Sequence, residues 1–268
     1  MLKQIIVNAH FMIPVYNLMC GIALITGLIY LEMEFERNVI NHRFRDKIIT
    51  SIIITLLFSI LGARLFDWFF HRDAYYSILE AGFTFYGGLI TGAFTFLLLL
   101  TFFDLPVLGV FNLVTPSLVI GHFWGRIGCF LGGCCYGRPT DFILGVVFPK
   151  DSLASLSYGP GVAVHPTQLY EALFLLILFL VLVKLISFSI RTAVYLCSYG
   201  SFRFVLEFLR GDDRGTLIKG ADLHPAQFIS VLCIVIGFIM LVMIKTRRKN
   251  QVQSARSQSF GLLFFYKF

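Results

Sequence analysis

The sequence predicts an all-α integral membrane protein with seven transmembrane helices, an N-terminus outside the membrane, a cytoplasmic C-terminus and a small extracytoplasmic head region. Of its 268 residues, 57% are hydrophobic and 14% are charged, whereas a soluble domain has about 45–50% apolar and about 25% charged residues. Apolar stretches long enough to cross a bilayer, which takes about 20 helical residues, recur along the chain. These two observations indicate a polytopic membrane protein.

The predicted spans are residues 13–31, 48–69, 83–103, 106–122, 166–186, 189–209 and 225–244. The fourth span is interrupted by Pro106 and Pro116, and membranes tolerate broken helices only where protein or a polar cavity satisfies the backbone. We predict one membrane domain, residues 1–249. Residues 250–268 are predicted to form a cytoplasmic tail that is disordered or lies at the interface.

The positions of lysine and arginine predict the orientation. Basic residues follow the first, fifth and seventh spans, and positively charged loops favour the cytoplasm. The formal net charge of +7 therefore indicates membrane anchoring and gives no reason to expect nucleic acid. Arg126, Arg138, Arg210 and Arg214 fall on the opposite side of the membrane, and binding a phosphate would explain them.

The sixth span ends in R-F-V-L-E-F-L-R, residues 203–210. The spacing of Arg203, Glu207 and Arg210 places all three on one face of a helix. Ionisable groups at membrane depth are expensive and usually functional. Glu207 is expected to neutralise one arginine, which leaves a second guanidinium that needs an anionic ligand.

The fifth span opens with H-P-T-Q-L-Y-E-A, residues 165–172. A helix cap at the interface explains His165 and Thr167. It does not explain Gln168 and Glu171 one turn later, where lipid-facing residues would be apolar. We therefore expect an inward-facing polar cluster there.

Residues 124–140 read W-G-R-I-G-C-F-L-G-G-C-C-Y-G-R-P-T and are predicted to form an outer loop. The C-x4-C-C spacing of Cys129, Cys134 and Cys135 matches no usual zinc pattern, so we expect no metal, and a disulfide is an alternative. The preferred interpretation is that small residues let the backbone approach a lipid head group, with Arg126 and Arg138 supplying charge.

Four segments in the order 85–90, 125–138, 165–172 and 203–210 together resemble the bacterial phosphatidylglycerol–prolipoprotein diacylglyceryl transferases. They read F-Y-G-G-L-I, G-R-I-G-C-F-L-G-G-C-C-Y-G-R, H-P-T-Q-L-Y-E-A and R-F-V-L-E-F-L-R. The resemblance implies seven helices in the bacterial cytoplasmic membrane. It also implies transfer of the diacylglyceryl group of phosphatidylglycerol to the lipobox cysteine of a prolipoprotein, with no cofactor.

The resemblance also implies site residues. The predicted catalytic residues are Tyr86, Arg126, Arg203 and Glu207. The predicted substrate contacts are Tyr16, Gly87, Gly88, Gly125, Gly128, Cys129, Gly137, Arg138, His165, Gln168, Glu171 and Arg210. The phosphate is assigned to Arg126, Arg203 and Arg138, with Glu207 holding Arg203.

Two positions depart from the family pattern. Tyr86 stands where studied members have histidine, and Cys129 stands where they have asparagine. Tyrosine is a weak general base at neutral pH but a fair hydrogen-bond donor. The proton acceptor is therefore Tyr86, His122, His165 or water.

Three other functions fit some of these features. A paralogous transferase with another acceptor would explain Tyr86 and Cys129. An anion or lipid transporter would also place arginines inside the membrane, although no internal repeat supports it. An oxidoreductase using Cys134 and Cys135 lacks the C-x-x-C motif.

Overall fold

The computed structural model describes residues 4–8, 11–71, 77–212 and 224–265. Eight α-helices are found in this part of the chain, and they are α1 Val15–Arg37, α2 His42–Phe70, α3 Phe85–Phe102, α4 Val107–Gly132, α5 Leu153–Tyr158, α6 Thr167–Lys184, α7 Arg191–Leu206 and α8 Pro225–Phe265. Two short antiparallel pairs accompany them, β1 Gln4–Asn8 with β2 Phe11–Pro14 and β3 Val146–Val147 with β4 Ala163–Val164.

The protein is an all-helical integral membrane protein. Six helices of the described residues are long and apolar enough to cross a membrane, namely α1, α2, α3, α4, α6 and the 225–247 part of α8. Their outward faces carry large apolar side chains; on α1, Leu24, Ile25 and Ile29 are all exposed. Apolar surface of this extent is typical of a lipid-facing helix.

Each predicted span corresponds to a helix, but two helices differ from the prediction. α4 continues to Gly132, so the prediction of a loop over residues 124–140 is wrong for residues 124–132. Pro116 lies inside α4 and does not end it, as membrane helices allow when neighbouring groups satisfy the backbone. α8 runs on to Phe265, so much of the predicted tail is helical, and its cytoplasmic location stays a prediction.

The chain forms two compact units, residues 1–31 with 114–268, and residues 32–113. In the first unit, Val119 packs with Leu175, Leu178 and Leu182 in a buried core between α4 and α6. A second cluster in the same unit contains Tyr136, Phe148, Ala154 and Val164 and orders the segment between α4 and α6.

The second unit depends on small residues between α2 and α3. A Cβ atom on Gly87 would lie 2.7 Å from the carbonyl oxygen of Gly62 and would also meet the side chain of Phe66. A Cβ on Gly88 would lie 3.1 Å from the carbonyl oxygen of Ser59. Glycines therefore let the two helix backbones approach closely, as small residues do in membrane interfaces.

We expect Gly87→Ala to lower the free energy of unfolding by about 1–3 kcal/mol, because the new methyl group overlaps a helix backbone that cannot move without losing packing. Thermal unfolding in detergent measures the change. Gly21→Ala is the matched control, since a Cβ at Gly21 meets nothing within 4 Å. A stable Gly87→Ala protein would show that this glycine is not needed for packing.

Candidate active site

An ion pair joins α4 to α6 in the first unit. Nε of Arg126 lies 3.0 Å from Oε1 of Glu171, whose side chain is fully buried. Arg126 itself is only 14% exposed. The predicted inward-facing position of Glu171 is therefore confirmed, and its partner is an arginine from the neighbouring glycine-rich helix. A buried pair of this kind keeps both charges out of an uncompensated apolar environment.

Two further side chains complete this cluster. Nε of Arg126 donates a hydrogen bond to Nε2 of His122 at 3.3 Å, and the same ring nitrogen lies 3.7 Å from Oε1 of Glu171. The hydroxyl of Tyr199 on α7 donates to Oε1 of Glu171 at 2.7 Å. Oε1 of Glu171 thus holds α4, α6 and α7 together.

Arg203 near the end of α7 forms the second ion pair. Its Nη1 lies 2.6 Å from Oε2 of Glu207, one helical turn later, and both side chains are buried. Arg203 also interacts electrostatically with Glu171 and His122. The charge of Arg203 therefore acts on the same residues that surround Arg126.

The prediction that Arg203, Glu207 and Arg210 share one helix face is wrong for Arg210. α7 ends at Leu206, residues 207–209 form a single 3₁₀ turn, and Arg210 is extended with φ −71° and ψ 143°. Nε and Nη2 of Arg210 bond the carboxylate of Asp212 at 2.7 Å and 2.6 Å. Arg210 is therefore not the uncompensated cation that the sequence pattern predicted.

Backbone hydrogen bonds bring three segments together at Gly137. Its N–H donates to the carbonyl of His165 at 2.9 Å, and the N–H of Arg138 donates to the carbonyl of Leu209 at 2.8 Å. A Cβ on Gly137 would lie 2.6 Å from Cβ of His165 and 2.7 Å from each of these two carbonyl oxygens. Only glycine fits between these backbone segments, so the role of Gly137 is close backbone approach.

A cavity of about 190 Å³ opens beside this junction and is lined by Arg138, Tyr158, Glu207, Arg210, Gly211, Asp212 and His224. Its volume exceeds the roughly 30 Å³ that one water occupies in the liquid. Arg138 is exposed there, and its Nε donates to the carbonyl of Arg210 at 3.2 Å. Among the described residues no carboxylate pairs with Arg138. Arg138 therefore gives the cavity a cation available to a ligand.

Three thiols meet where α4 ends. The Sγ atoms of Cys129, Cys134 and Cys135 all lie within 4.8 Å of one another. Hydrogen bonds from Cys129 and Cys134, with a contribution from Arg210, lower the pKa of Cys135 against the effect of burial. A hydrogen bond with Cys129 lowers the pKa of Cys134. A hydrogen bond with Cys135 and burial outweigh this effect and raise the pKa of Cys134 to about 11. The three thiols therefore influence one another's ionisation, and Arg210 favours the thiolate form of Cys135.

The backbone that gathers these thiols is unusual. Gly133 has φ +72° and Cys135 has φ +64°, and a left-handed conformation costs a residue other than glycine about 1–2 kcal/mol. The first turn of α6 holds this conformation, because the side chain of Gln168 donates to the carbonyl of Cys134 at 2.6 Å and Thr167 donates to that of Cys135 at 2.8 Å. In the structure Gln168 therefore anchors the cysteine loop.

The remaining predicted residues of this unit lie on α1, on α4 and before α6. Tyr16 faces α4, where a Cβ on Gly128 would lie 3.3 Å from its ring. A Cβ on Gly125 would meet nothing within 4 Å, so this glycine leaves open space beside Arg126. Nδ1 of His165 lies 3.3 Å from the hydroxyl of Tyr170.

Tyr86 and the two glycines after it begin α3, in the second unit. The structure gives Gly87 and Gly88 a packing contact with α2. A substrate contact for either, and a catalytic role for Tyr86, stay predictions.

Several residues of the site were not predicted. Tyr199 lies four residues before Arg203, so helical spacing from that arginine was a usable signal. His122 was predicted as a candidate proton acceptor, but its hydrogen bond with Arg126, four residues later, was not predicted. Asp212, Tyr158 and His224 had no such signal, because Asp212 and His224 reach the cavity from irregular segments and Tyr158 from the end of the short helix α5.

The sequence of nearly the whole chain matches a known protein family. The family model described as prolipoprotein diacylglyceryl transferase matches residues 4–243. The chain belongs to the prolipoprotein diacylglyceryl transferase family. This confirms the resemblance found in the sequence motifs.

Similar proteins from several bacteria carry the same family name. A phosphatidylglycerol–prolipoprotein diacylglyceryl transferase of Clostridium tetani is 31% identical over 247 residues, covering 87% of this chain and 94% of the relative. Transferase 2 of Clostridium perfringens is 31% identical over 253 residues, covering 88% and 93%. The Nitrosomonas europaea transferase is 33% identical over 212 residues, covering 74% and 73%.

We expect Glu171→Gln to lower the free energy of unfolding by about 3–5 kcal/mol, because it leaves the buried guanidinium of Arg126 without its carboxylate. Tyr199→Phe removes only one hydrogen bond to that carboxylate and should cost about 1.5–3 kcal/mol. Thermal unfolding in detergent gives both values. Glu36→Gln is the control, since Glu36 is exposed, and equal stability of Glu171→Gln and this control would contradict the pairing.

Proposed function

We propose that this chain transfers the diacylglyceryl group of phosphatidylglycerol to the thiol of the lipobox cysteine in a prolipoprotein. Membership of the transferase family supports the activity. The observation that carries the proposal is a pair of buried, carboxylate-held arginines, Arg126 and Arg203, in the same unit as Arg138, which lines the cavity. Buried cations of this kind are typical of sites for anionic ligands.

The chemistry requires two kinds of assistance. The sulfur of the acceptor cysteine attacks the glyceryl carbon that carries the phosphate ester, the C–O bond breaks, and glycerol phosphate leaves with the electron pair. The thiol proton is lost to a base. Guanidinium groups stabilise negative charge that develops on the leaving phosphate, and they are most effective where water is excluded.

We assign the phosphate to Arg126, Arg203 and Arg138. Arg138 lines the cavity and is exposed there, so it is suited to meet the lipid head group first. Glu171 and Glu207 hold the other two guanidinium groups in fixed positions. Preorganised charges of this type need no rearrangement as the transition state forms.

The base has more than one candidate. His122 is one candidate, and its Nε2 could take the thiol proton once it releases the hydrogen bond that it accepts from Arg126. For Tyr86 we propose hydrogen bonding to substrate, because a phenol with a pKa near 10 is a weak base at neutral pH.

The proposal includes a topology. The 16-residue α7 is flanked by 3₁₀ turns at Phe188–Ile190 and Glu207–Leu209, and with these turns it is long enough to cross a bilayer. Seven spans with the N-terminus outside would place the cavity at the outer face of the bacterial cytoplasmic membrane. Prolipoproteins and phosphatidylglycerol would both be accessible there.

We expect Arg126→Ala and Arg203→Ala each to reduce transfer by at least about 100-fold, because each removes a charge from the leaving phosphate. The assay contains purified protein, phosphatidylglycerol vesicles and a lipobox peptide. Mass spectrometry detects the diacylglyceryl thioether, and released glycerol phosphate is measured in parallel.

A double variant separates catalysis from folding. Arg203→Met with Glu207→Met removes both charges, so no buried charge is left unpaired, and we expect a folded protein without activity. Arg43→Ala is the matched control, since Arg43 is exposed in the other unit, and it should retain transfer. Full activity in the double variant would refute the assignment of Arg203.

A paralogous transferase with another acceptor is the alternative that Tyr86 and Cys129 favour. Transfer assayed with a membrane extract as the source of acceptors, and without lipobox peptide, tests this alternative. Diacylglyceryl products formed only from that extract would support the alternative.

A further inference from the structure

The cluster of Cys129, Cys134 and Cys135 has no part in the proposed phosphate site. Its Sγ atoms lie within 4.8 Å of one another. Zinc–sulfur bonds of about 2.3 Å place the sulfurs of a tetrahedral site about 3.8 Å apart. Shifts of an ångström or less would therefore bring the three thiols to the spacing that a bound cation requires.

The loop is held in the conformation that this site needs. Cys135 has φ +64°, a conformation in which glycine would be unstrained. Gln168 and Thr167 fix the carbonyls of Cys134 and Cys135, so the backbone oxygens are already satisfied and the thiols are directed to one another. A strained non-glycine residue in a firmly anchored loop is typical of a functional position.

The surrounding charge also suits an anionic metal–thiolate group. Three thiolates and one divalent cation carry a net charge of −1, and Arg210 interacts electrostatically with Cys135. Arg126 interacts with both Cys129 and Cys135. The thiols thus lie next to two of the arginines that belong to the candidate active site.

We propose that Cys129, Cys134 and Cys135 bind a thiophilic d10 cation of the zinc class, whose fourth coordination position receives the thiol that is alkylated. Thiolate is the preferred ligand of such cations, and three protein ligands with one open position are typical of catalytic zinc. The C-x4-C-C spacing predicts no such site, because the convergence comes from the left-handed backbone at Gly133 and Cys135.

The catalytic part rests on the proposed function. The acceptor thiol binds the cation through sulfur and releases its proton to solvent, since a metal-bound thiol is deprotonated. The sulfur lone pair then forms the S–C bond as the C–O bond to phosphate breaks, and glycerol phosphate takes the electron pair. No separate side chain has to hold the proton during attack.

Metal binding is tested on the full chain, purified in detergent, fully reduced and freed of metal by chelation. Cd²⁺ is the probe, because cadmium–thiolate coordination gives an ultraviolet charge-transfer band, and Zn²⁺ should displace it. We expect one equivalent to bind. Cys129→Ser and Cys135→Gly should weaken binding by at least about 100-fold, since even changes outside the ligand shell cost 10–100-fold.

Two variants control for other thiols and for folding. Cys197 on α7 and Cys233 on α8 lie where these two helices pack together. The variants Cys197→Ser and Cys233→Ser should therefore bind Cd²⁺ normally. Cys135→Gly suits the positive φ, so the metal-free variant should melt at the same temperature as the parent or higher. An unchanged cadmium band in Cys135→Gly, or no binding by the reduced parent, would overturn the site. Formation of a disulfide within the cluster, with no metal bound, would also overturn the site.

The catalytic role is tested with phosphatidylglycerol vesicles and a lipobox peptide. We expect transfer by the Zn²⁺-loaded protein and a loss of at least about 100-fold after metal removal, restored by Zn²⁺. Equal transfer by metal-free and metal-loaded protein would overturn the role of the cation while the transferase function stands. Normal cadmium binding without transfer in either state would refute the transferase function and leave only the metal site.

Discussion

Pairing of buried arginines with carboxylates is the constraint on which the first unit depends. Arg126 and Arg203 lie on helices whose other faces are apolar, and neither charge could stay there alone. Glu171 and Glu207 compensate them at 3.0 Å and 2.6 Å. Because Oε1 of Glu171 also accepts from Tyr199, one carboxylate fixes the relative positions of α4, α6 and α7. The site is therefore built by the same contacts that stabilise the helices around it.

Local sequence patterns predicted the parts of this arrangement that depend on neighbouring residues. Apolar runs located the six helices that are long and apolar enough to cross a membrane, because a lipid-facing helix needs apolar residues over its whole length. The i, i+4 pair of Arg203 and Glu207 followed from helical spacing alone. The polarity of Gln168 and Glu171 placed both residues inside, since polar groups in a span face protein.

Contacts between distant segments could not be predicted in the same way. Nothing near Arg126 in the sequence identifies Glu171 as its partner, because the pairing depends on how α4 and α6 pack. The end of α7 was misjudged for a related reason. Arg210 continues the helical spacing of Arg203 and Glu207, but backbone pairing with Gly137 draws Arg210 out of the helix. A spacing rule has no information about such a competing partner.

The balance of charge supports the proposed role of Arg138 in phosphate recognition. Arg126, Arg203 and Arg210 each have a carboxylate, and the described residues provide none for Arg138. The compensated guanidinium groups keep N–H donors in place without a strong unbalanced field inside the membrane. Arg138 adds the net positive charge at the cavity, where solvent still screens it and the cost of an unpaired cation is small. An approaching phosphate would then replace solvent at Arg138 and encounter donors that are already oriented, which reduces the rearrangement required for binding.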